Sequence, residues 1–353
     1  MGKKVVVGLS GGVDSSVSAY LLKEQGYEVA GVSLILFDPR SRLQIGKAPC
    51  CSFESTVNAA QTAKEIGIEH SIIDARDLFS EKVIKPFVEA YSRGITPNPC
   101  ILCNRFVKFP SLIKAADERH FDLIATGHYA RVQCSEGSAR LLKGADSGKD
   151  QSYVLYALEN KILMRLLLPL GEKTKQTVRQ MAQTLDLHAA KREESQEICF
   201  VEEGNYTAFL KGLAKAENGP VVDIESGKEI GHHNGIFLYT IGQRKRLPAT
   251  GKPVYVVKID PSTNSIYIGS REMARMKRFT VGNLNWLVSP AEPHFKASVK
   301  VRSTMKDEAA CLHILENGAV EVEFDEPQWA PTPGQSAVFY YGDTVLGGGT
   351  ISA

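Results

Sequence analysis

The chain of 353 residues lacks any run of about 18 apolar residues, so nothing in it predicts a membrane span. Its first residues, MGKKVVVGLS, enter an apolar strand at once and leave no room for a signal or transit peptide. Val6 stands where a myristoylation signal needs Ser or Thr. Internal repeats and low-complexity tracts are missing as well. A formal charge of only +2 excludes a globally basic nucleic-acid binder, so a polyanionic partner would have to be held by local patches. Seven cysteines, an odd number without secretory context, predict reduced thiols in a cytoplasmic protein rather than a disulfide framework. What remains is ordinary globular composition, 43% apolar and 23% charged, in a chain long enough for two or three cores.

The first half alternates strand and helix signals. Val5–Leu9 is a β-branched run followed by glycines and then by Val13, Val17 and Leu21 at helical spacing. Val29–Phe37, Ile68–Ile73 and Phe121–Thr126 read as further buried strands, and Ser55–Ile66 as a helix with Val57, Ala60, Ala63 and Ile66 on one face. Continuous apolar strands joined by helices predict an α/β domain with a doubly wound parallel sheet over residues 1–215. Ligands on such sheets sit at the carboxyl ends of the strands, where Ser10–Ser15, Asp38 and Gly127–Tyr129 would fall. Residues 216–275 turn glycine-rich with short β runs, Phe237–Ile241 and Tyr255–Ile259, and a turn leading into Ser265–Ile268. Residues 276–353 are β by pattern. There Asn317-Gly318 joins Cys311–Leu315 to Ala319–Phe324 as a hairpin, and a small antiparallel barrel would close the segment without bare edges.

The strongest motif is GLSGGVDSS, Gly8–Ser16, between the first strand and the first helix. It lacks the Lys of a Walker A loop and the glycine spacing of a dinucleotide fingerprint. It still has the parts of an anion cradle. Gly11 and Gly12 admit a phosphate close to the backbone, the helix start favours negative charge, and Ser10, Ser15 and Ser16 supply hydroxyls. Asp14 beside a phosphate is costly unless a cation intervenes, which implies Mg²⁺. The pattern resembles the signature of the PP-loop ATP pyrophosphatases, whose fold is adenine nucleotide alpha hydrolase-like. That resemblance implies cleavage of ATP between its α and β phosphates to activate a substrate oxygen as an adenylate. Nothing reads as a glutaminase domain or ammonia channel, which leaves the thiols of TPNPCILCN and SQEICFV as candidate nucleophiles.

Longer motifs in order make the resemblance specific. TPNPxxxCNxxxKF (Thr96–Phe109), ATGHYAR (Ala125–Arg131), KDQSYVLY (Lys149–Tyr156), ICF (Ile198–Phe200), YTIGQRK (Tyr239–Lys245), TPGQSAVFY (Thr332–Tyr340) and a late GGG resemble the tRNA-specific 2-thiouridylase (MnmA) family. The resemblance implies ATP-dependent sulfur transfer to C2 of a tRNA wobble uridine. It implies that Gly8, Leu9, Ser10, Gly11, Gly12, Val13, Asp14 and Ser15 bind ATP with Leu34 and Gly127, and that Asn98, Pro99 and residue 100 face the target base. It further implies tRNA contacts by His128, Lys149, Asp150, Gln151 and Gln335, with a weaker match at Arg302 because Ser303 replaces the family's tyrosine. Cys103 matches the nucleophile and Cys199 the persulfide carrier, the sulfur coming from a cysteine desulfurase or a sulfur-carrier protein.

One departure opens an alternative. Cys100 stands where the family commonly has aspartate, and three thiolates, Cys100, Cys103 and Cys199, are enough for a [4Fe–4S] cluster with one open iron that delivers hydrosulfide. A zinc site drawing on Cys50-Cys51 is disfavoured because adjacent cysteines chelate one metal poorly. A thioredoxin-like module is disfavoured because an adenylating loop occupies its place. Cys134 and Cys311 read as small apolar fillers in strands. Arg244–Arg246 and Arg271–Arg278 read as solvated basic faces, of use against tRNA phosphates. Two rivals stay open at this point: a PP-loop synthetase acting on a small acceptor such as citrulline, and a metal-binding RNA-recognition protein without turnover.

Overall fold

The computed structural model describes residues 2–37, 53–191, 200 and 217–352. Two compact units emerge, and they do not follow chain order: the first comprises Met1–Ile84, Pro99–Asn205 and Asp343–Val345, the second Lys85–Asn98, Tyr206–Gly342 and Leu346–Ala353.

The first unit opens with β1 (Lys4–Gly8), α1 (Val13–Glu24), β2 (Glu28–Ile35), α2 (Phe53–Ile66), β3 (Glu69–Asp74) and the short α3 (Arg76–Phe79). The helix α4 (Lys85–Ser92) belongs to the second unit. The chain returns with α5 (Pro99–Cys103), α6 (Phe109–Glu118), β4 (Leu123–Ala125), the hairpin β5 (Ala130–Ser135) and β6 (Ser138–Lys143), two single-turn helices α7 (Ser152–Leu155) and α8 (Asn160–Leu163), β7 (Leu166–Leu167) and α9 (Lys175–Thr184). The sheet runs β3-β2-β1-β4-β7 with every pairing parallel. The chain therefore winds outward from β1 in both directions, and the crevice above β1 and β4 is the switch point where ligands bind. Val5, Val7, Val17, Leu22, Ala63 and Val178 form one core between the sheet and α1, α2 and α9.

Why the strands are buried runs follows from this two-sided cover: Val5, Val6 and Val7 are all fully buried, so no alternation is left in β1. The helix face of α2 differs from the expected one. Val57 is 54% exposed, and the buried side carries Ser55, Thr56, Ala59, Thr62, Ala63 and Ile66. Thr62 Oγ1 meets Ser16 Oγ of α1 at 3.3 Å on that buried face, beside Ala59 and Ala63 of the apolar core.

Two helical segments contain π turns, Ser80–Ile84 and Asn104–Lys108. Each is followed two residues later by proline, Pro86 and Pro110. A proline has no N–H to donate and its ring crowds the preceding turn, which a widened turn accommodates.

In the second unit, β8 (Gly219–Asp223), β9 (Glu229–His233), β10 (Tyr255–Asp260) and β11 (Ser265–Gly269) form a sheet in the order β10-β11-β8-β9. Phe237–Ile241 is not a strand: Ile236–Leu238 makes a 3₁₀ turn whose three side chains are buried. Its apolar run reflects burial of a loop, which periodicity alone does not distinguish from a strand. The strands β12 (Arg275–Trp286), β13 (His294–Lys300), β14 (Glu308–Ile314), β15 (Val320–Trp329), β16 (Ser336–Tyr341) and β17 (Thr344–Ile351) follow. Their order β12-β15-β14-β13-β16-β17, with β17 pairing back to β12, closes an antiparallel barrel. The Asn317-Gly318 hairpin forms as expected, Asn317 Oδ1 accepting from Ala319 N at 3.0 Å. Cys134 and Cys311 do lie in strands, β5 and β14, but on exposed faces rather than as core fillers. Among the described residues no helix is long and apolar enough to cross a membrane.

The barrel core can be weighed. Phe324 is 1% exposed and packs on Phe279 with ring centroids 5.8 Å apart. Phe324→Ala is expected to cost about 3–5 kcal/mol. Both tryptophans of the chain, Trp286 and Trp329, lie in this unit, so the loss is read as a lower urea midpoint in tryptophan fluorescence.

Candidate active site

The carboxyl ends of β1, β2 and β4 open into a cavity in the first unit. It is lined by Gly8, Leu9, Ser10, Asp14 and Ser15 from the glycine loop, by Val32, Ser33, Leu34 and Leu36 from β2 and its continuation, and by Ser55 and Thr56 of α2. Lys108, Leu112, Thr126, Gly127, His128 and Gln151 complete the wall. Its lining combines apolar side chains with hydroxyls and a lysine, a mixture that suits a ligand with both apolar and anionic parts.

The glycine loop is built from its serines inward. Ser15 Oγ accepts from Ser10 N at 3.2 Å and donates to Gly12 O at 3.0 Å, and Ser16 Oγ donates to the same carbonyl at 2.9 Å. Gly12 is the N-cap of α1 and no side chain caps that end, so the helix start facing the cavity keeps its attraction for an anion. Gly11 has φ +72°, and a Cβ there would lie 2.5 Å from Ser55 O; only glycine fits. At Gly127 a Cβ would lie 2.7 Å from the carbonyl carbon of Asp14 and 2.8 Å from Ser15 N, so the end of β4 rests directly on the first turn of α1.

Asp14 is the electrostatic centre. Lys175 Nζ donates to both carboxylate oxygens at 2.7 Å, and Tyr129 OH donates to Oδ1 at 2.7 Å. Lys175 is buried, at the first position of α9, with its ammonium 5.7 Å from the Tyr129 ring centroid. Sequence reasoning missed Lys175 because no motif marks it; it also missed Lys108, although the quoted TPNPxxxCNxxxKF stretch contains it.

His128 is half-buried, stacked on Phe109 with ring centroids 5.8 Å apart, and its Nδ1 lies 2.7 Å from Thr126 Oγ1. Burial, aided by the charge of Lys108, holds its pKa well below the usual imidazole value, so the ring is neutral near pH 7. Gln151 braces the same loop, accepting from Tyr129 N at 2.9 Å. The Asp150 carboxylate is turned inward, accepting from Gly144 N and Ser152 N at 3.0 Å each and from Ser152 Oγ at 2.9 Å. Lys149 is half-buried beside it.

Cys100 and Cys103 share the helix α5, but Cys100 is exposed and Cys103 buried. Helix α5 packs on the π turn Ser80–Ile84, next to Phe79. Phe79 in turn holds Phe200 edge to face at 5.5 Å. Cys199, Cys50, Cys51 and Asp38 lie outside the described residues. Among the described residues no group of three or more His, Cys, Asp or Glu is placed to hold a metal.

In the second unit the motif stretches meet. Gln335 Nε2 donates to Thr96 O at 3.0 Å and Pro97 O at 3.3 Å, and Thr96 N donates to Pro333 O at 3.0 Å. Thr96 Oγ1 donates to Thr240 Oγ1 at 3.2 Å. Arg302 Nη2 donates to Ile241 O at 3.0 Å, Ala330 O at 3.1 Å and Thr332 Oγ1 at 2.9 Å. Gln335 thus holds the backbone that leads to Asn98, while Arg302 ties Ile241 to Ala330 and Thr332.

Two outcomes follow from the first unit. Gly127→Ala forces the β4 end and the glycine loop apart, and ATP affinity by calorimetry is expected to fall at least about tenfold, about 1.4 kcal/mol. His128 titrates more readily unfolded than folded, so its contribution to stability is present above about pH 6.5 and is lost as pH falls below that value. In NMR titration the His128 ring signals are expected to stay at their neutral positions down through that pH.

Three family models cover the chain: the tRNA methyl transferase HUP domain over residues 3–203, the tRNA methyl transferase PRC-barrel domain over 207–270, and the aminomethyltransferase β-barrel domain over 276–351. A tRNA-specific 2-thiouridylase of Carboxydothermus hydrogenoformans is 47% identical over 99% of this chain and 97% of its own. One from Synechocystis sp. is 45% identical, also over 99% and 97%. Among solved structures, a 4-thiouridine synthetase in complex with RNA and ATP is similar over 56% of this chain and 45% of that one at 17% identity and TM-score 0.37, too distant to carry an argument. Identity at this level runs the whole length, and the HUP-domain match spans every residue of the cavity just described, so the chain belongs to the tRNA-specific 2-thiouridylase family.

Proposed function

We propose that the chain is a tRNA-uridine 2-sulfurtransferase that binds ATP in the cavity above β1, β2 and β4, adenylates O2 of the target uracil with loss of pyrophosphate, and replaces that oxygen by sulfur. The observation that carries this reading is the cavity itself, which gathers an uncapped helix start, a serine–glycine loop, Leu34 and Gly127. Adenine is assigned to the apolar lining residues Val32, Leu34, Leu36 and Leu112, and the phosphates to Ser10, Ser15 and Lys108 of the same cavity. Asp14 is the residue toward Mg²⁺, whose chemistry is to neutralise phosphate charge. Because Asp14 is already compensated by Lys175, the donor set suits a cation carried on the phosphates rather than one held by protein oxygens alone.

The thiols supply the second half-reaction. Sulfur from a cysteine desulfurase or a carrier protein is taken to reside as a persulfide on Cys199. Its terminal sulfur forms a bond to C2 as the C–O bond to AMP breaks. The Cys103 thiolate then attacks the Cys199 sulfur, the S–S bond to the product breaks, and a Cys103–Cys199 disulfide remains for a two-electron thiol reductant. In the other order, Cys103 attacks the persulfide first and frees hydrosulfide beside the base. The burial of Cys103, on a helix that packs beside the Phe79–Phe200 contact, supports it over the exposed Cys100 as the partner of Cys199. Asn98 and Pro99 are assigned to the target base, with His128, Lys149, Gln151, Gln335 and Arg302 disposed around the RNA or bracing what touches it.

The test measures pyrophosphate release and 2-thiouridine formation on tRNA with ATP, sulfide source and reductant, after anaerobic purification. Cys103→Ser is expected to abolish 2-thiouridine while keeping tRNA-dependent pyrophosphate release, and Cys100→Ser to retain both. Loss of thiolation in Cys100→Ser, together with about four irons per chain, would replace the persulfide route by a [4Fe–4S] route. No pyrophosphate from the unmodified chain would refute the function.

A further inference from the structure

Two basic stretches lie in the second unit, Arg244–Arg246 and Arg271–Arg278, and their surroundings differ. In the later one, Arg278 pairs with Glu323 at 2.8 Å and Glu321 at 3.8 Å, Arg275 lies 3.9 Å from Glu272, and the Arg271 guanidinium sits 5.2 Å from the Trp329 ring centroid. Arg275 and Arg278 of that stretch are therefore paired with carboxylates within the unit. In the earlier one Arg244, Lys245 and Arg246 are all exposed. Among the described residues, neither Arg244 nor Lys245 forms an ion pair.

Adjacent like charges repel, and Arg246 adds a φ of +68°, a conformation that costs energy for any residue with a Cβ. The loop is built to hold both. Gln243 Nε2 donates to Lys245 O at 2.9 Å and to Leu238 O at 3.4 Å, and Tyr239 OH donates to Arg246 O at 3.0 Å. Gly242 N donates to Val256 O at 2.8 Å, and Val256 N to Gln243 O at 2.9 Å. The carbonyls are tied inward and the cations face out on a fixed backbone. Preorganisation of this kind lowers the cost of ordering on an anionic partner.

The segment that feeds this loop also holds the Thr96–Asn98 stretch, through Thr96 Oγ1 to Thr240 Oγ1 at 3.2 Å. Thr240 and Arg244 are four residues apart, so their Cα atoms lie within about 14 Å of one another. We infer that Arg244, Lys245 and Arg246 form a phosphate-binding ridge for the RNA backbone flanking the base presented to Asn98. The inference rests on the sulfurtransferase reading and names where that enzyme grips its substrate. The aromatic and amide groups beside these cations, Tyr239 and Gln243, donate to the loop's own carbonyls. Three consecutive cations suit phosphates rather than base edges, so the ridge sets position and affinity, not sequence.

The test is the salt dependence of tRNA binding to the full chain, by fluorescence anisotropy over a KCl series. For the double variant Arg244→Gln/Lys245→Gln, the slope of log Kd against log[KCl] is expected to become shallower by about 1.4, with Kd at 0.1 M salt roughly tenfold weaker or more. Arg278→Gln, which removes a charge already compensated by two glutamates, is expected to leave the slope unchanged. In the unmodified chain, bound tRNA should protect Lys245 from acetylation, a readout that needs no variant to fold. An unchanged slope in the double variant, or Lys245 equally reactive with and without bound tRNA, overturns the ridge while leaving the function standing. An unmodified chain that binds no tRNA overturns the function, and the ridge with it.

Discussion

A single carboxylate gathers the catalytic unit. Asp14 belongs to the first turn of α1, Tyr129 to the segment after β4, and Lys175 to the start of α9, yet all three meet within hydrogen-bond distance. A helix start welcomes an acidic residue, but a carboxylate sheltered from solvent must be paired, and Lys175 provides the charge. The pair thereby fixes α9 against α1, and Tyr129 fixes the β4 exit against both. The close approach of Gly127 to the backbone of Asp14 and Ser15 depends on that arrangement, and the cavity floor depends on Gly127. The shape of the cavity is thus a consequence of charge compensation as much as of glycine content.

Much of this architecture was legible in the chain. Fully buried β-branched runs separated by helical stretches specify a parallel sheet, and Asn317-Gly318 specifies its hairpin, because both signals are local. What was not legible depended on distant partners. The buried face of α2 was misjudged because it carries Ser55, Thr56 and Thr62 beside Ala59 and Ala63, hydroxyls that the apolar pattern does not count, while Val57 is exposed. The run Phe237–Ile241 is apolar for want of solvent rather than for sheet pairing. Lys175 resembles any other lysine until the fold carries it to Asp14. Of the residues expected at the site, Gly8, Leu9, Ser10, Asp14 and Ser15 of the glycine loop come together with Leu34, Gly127, His128 and Gln151 in one cavity, whereas Asp150 turns its carboxylate to backbone and hydroxyl donors of its own loop.

The TPNPCILCN stretch contains a change of allegiance. Thr96 to Asn98 belong with the second unit, held by Gln335 and Thr240, and Pro99 begins a helix of the first. Within that helix the thiols three residues apart have opposite environments, one in solvent and one in the core. Spacing alone gives two thiols on one helical face. Burial then gives them different chemistry, since a sheltered thiol is protected from bulk oxidants and an exposed one is not.

The π turn at Asn104–Lys108 has a consequence for the azimuth of that helix. Each residue of an α-helix advances the side-chain direction by about 100°. A widened turn takes in one residue more than an α turn does, so it acts as a phase adjuster between Cys103 on one side and the α6 residues Phe109 and Leu112 on the other. Both ends can then face the protein interior at once. A chain shortened by one residue here could relax to plain α-helix with its two halves still in step, whereas the same segment straightened to plain α-helix at full length would put them out of step by about that same angle. The orientation of the Cys103 sulfur is in this sense a counted quantity, set by how many residues stand between Pro99 and Pro110.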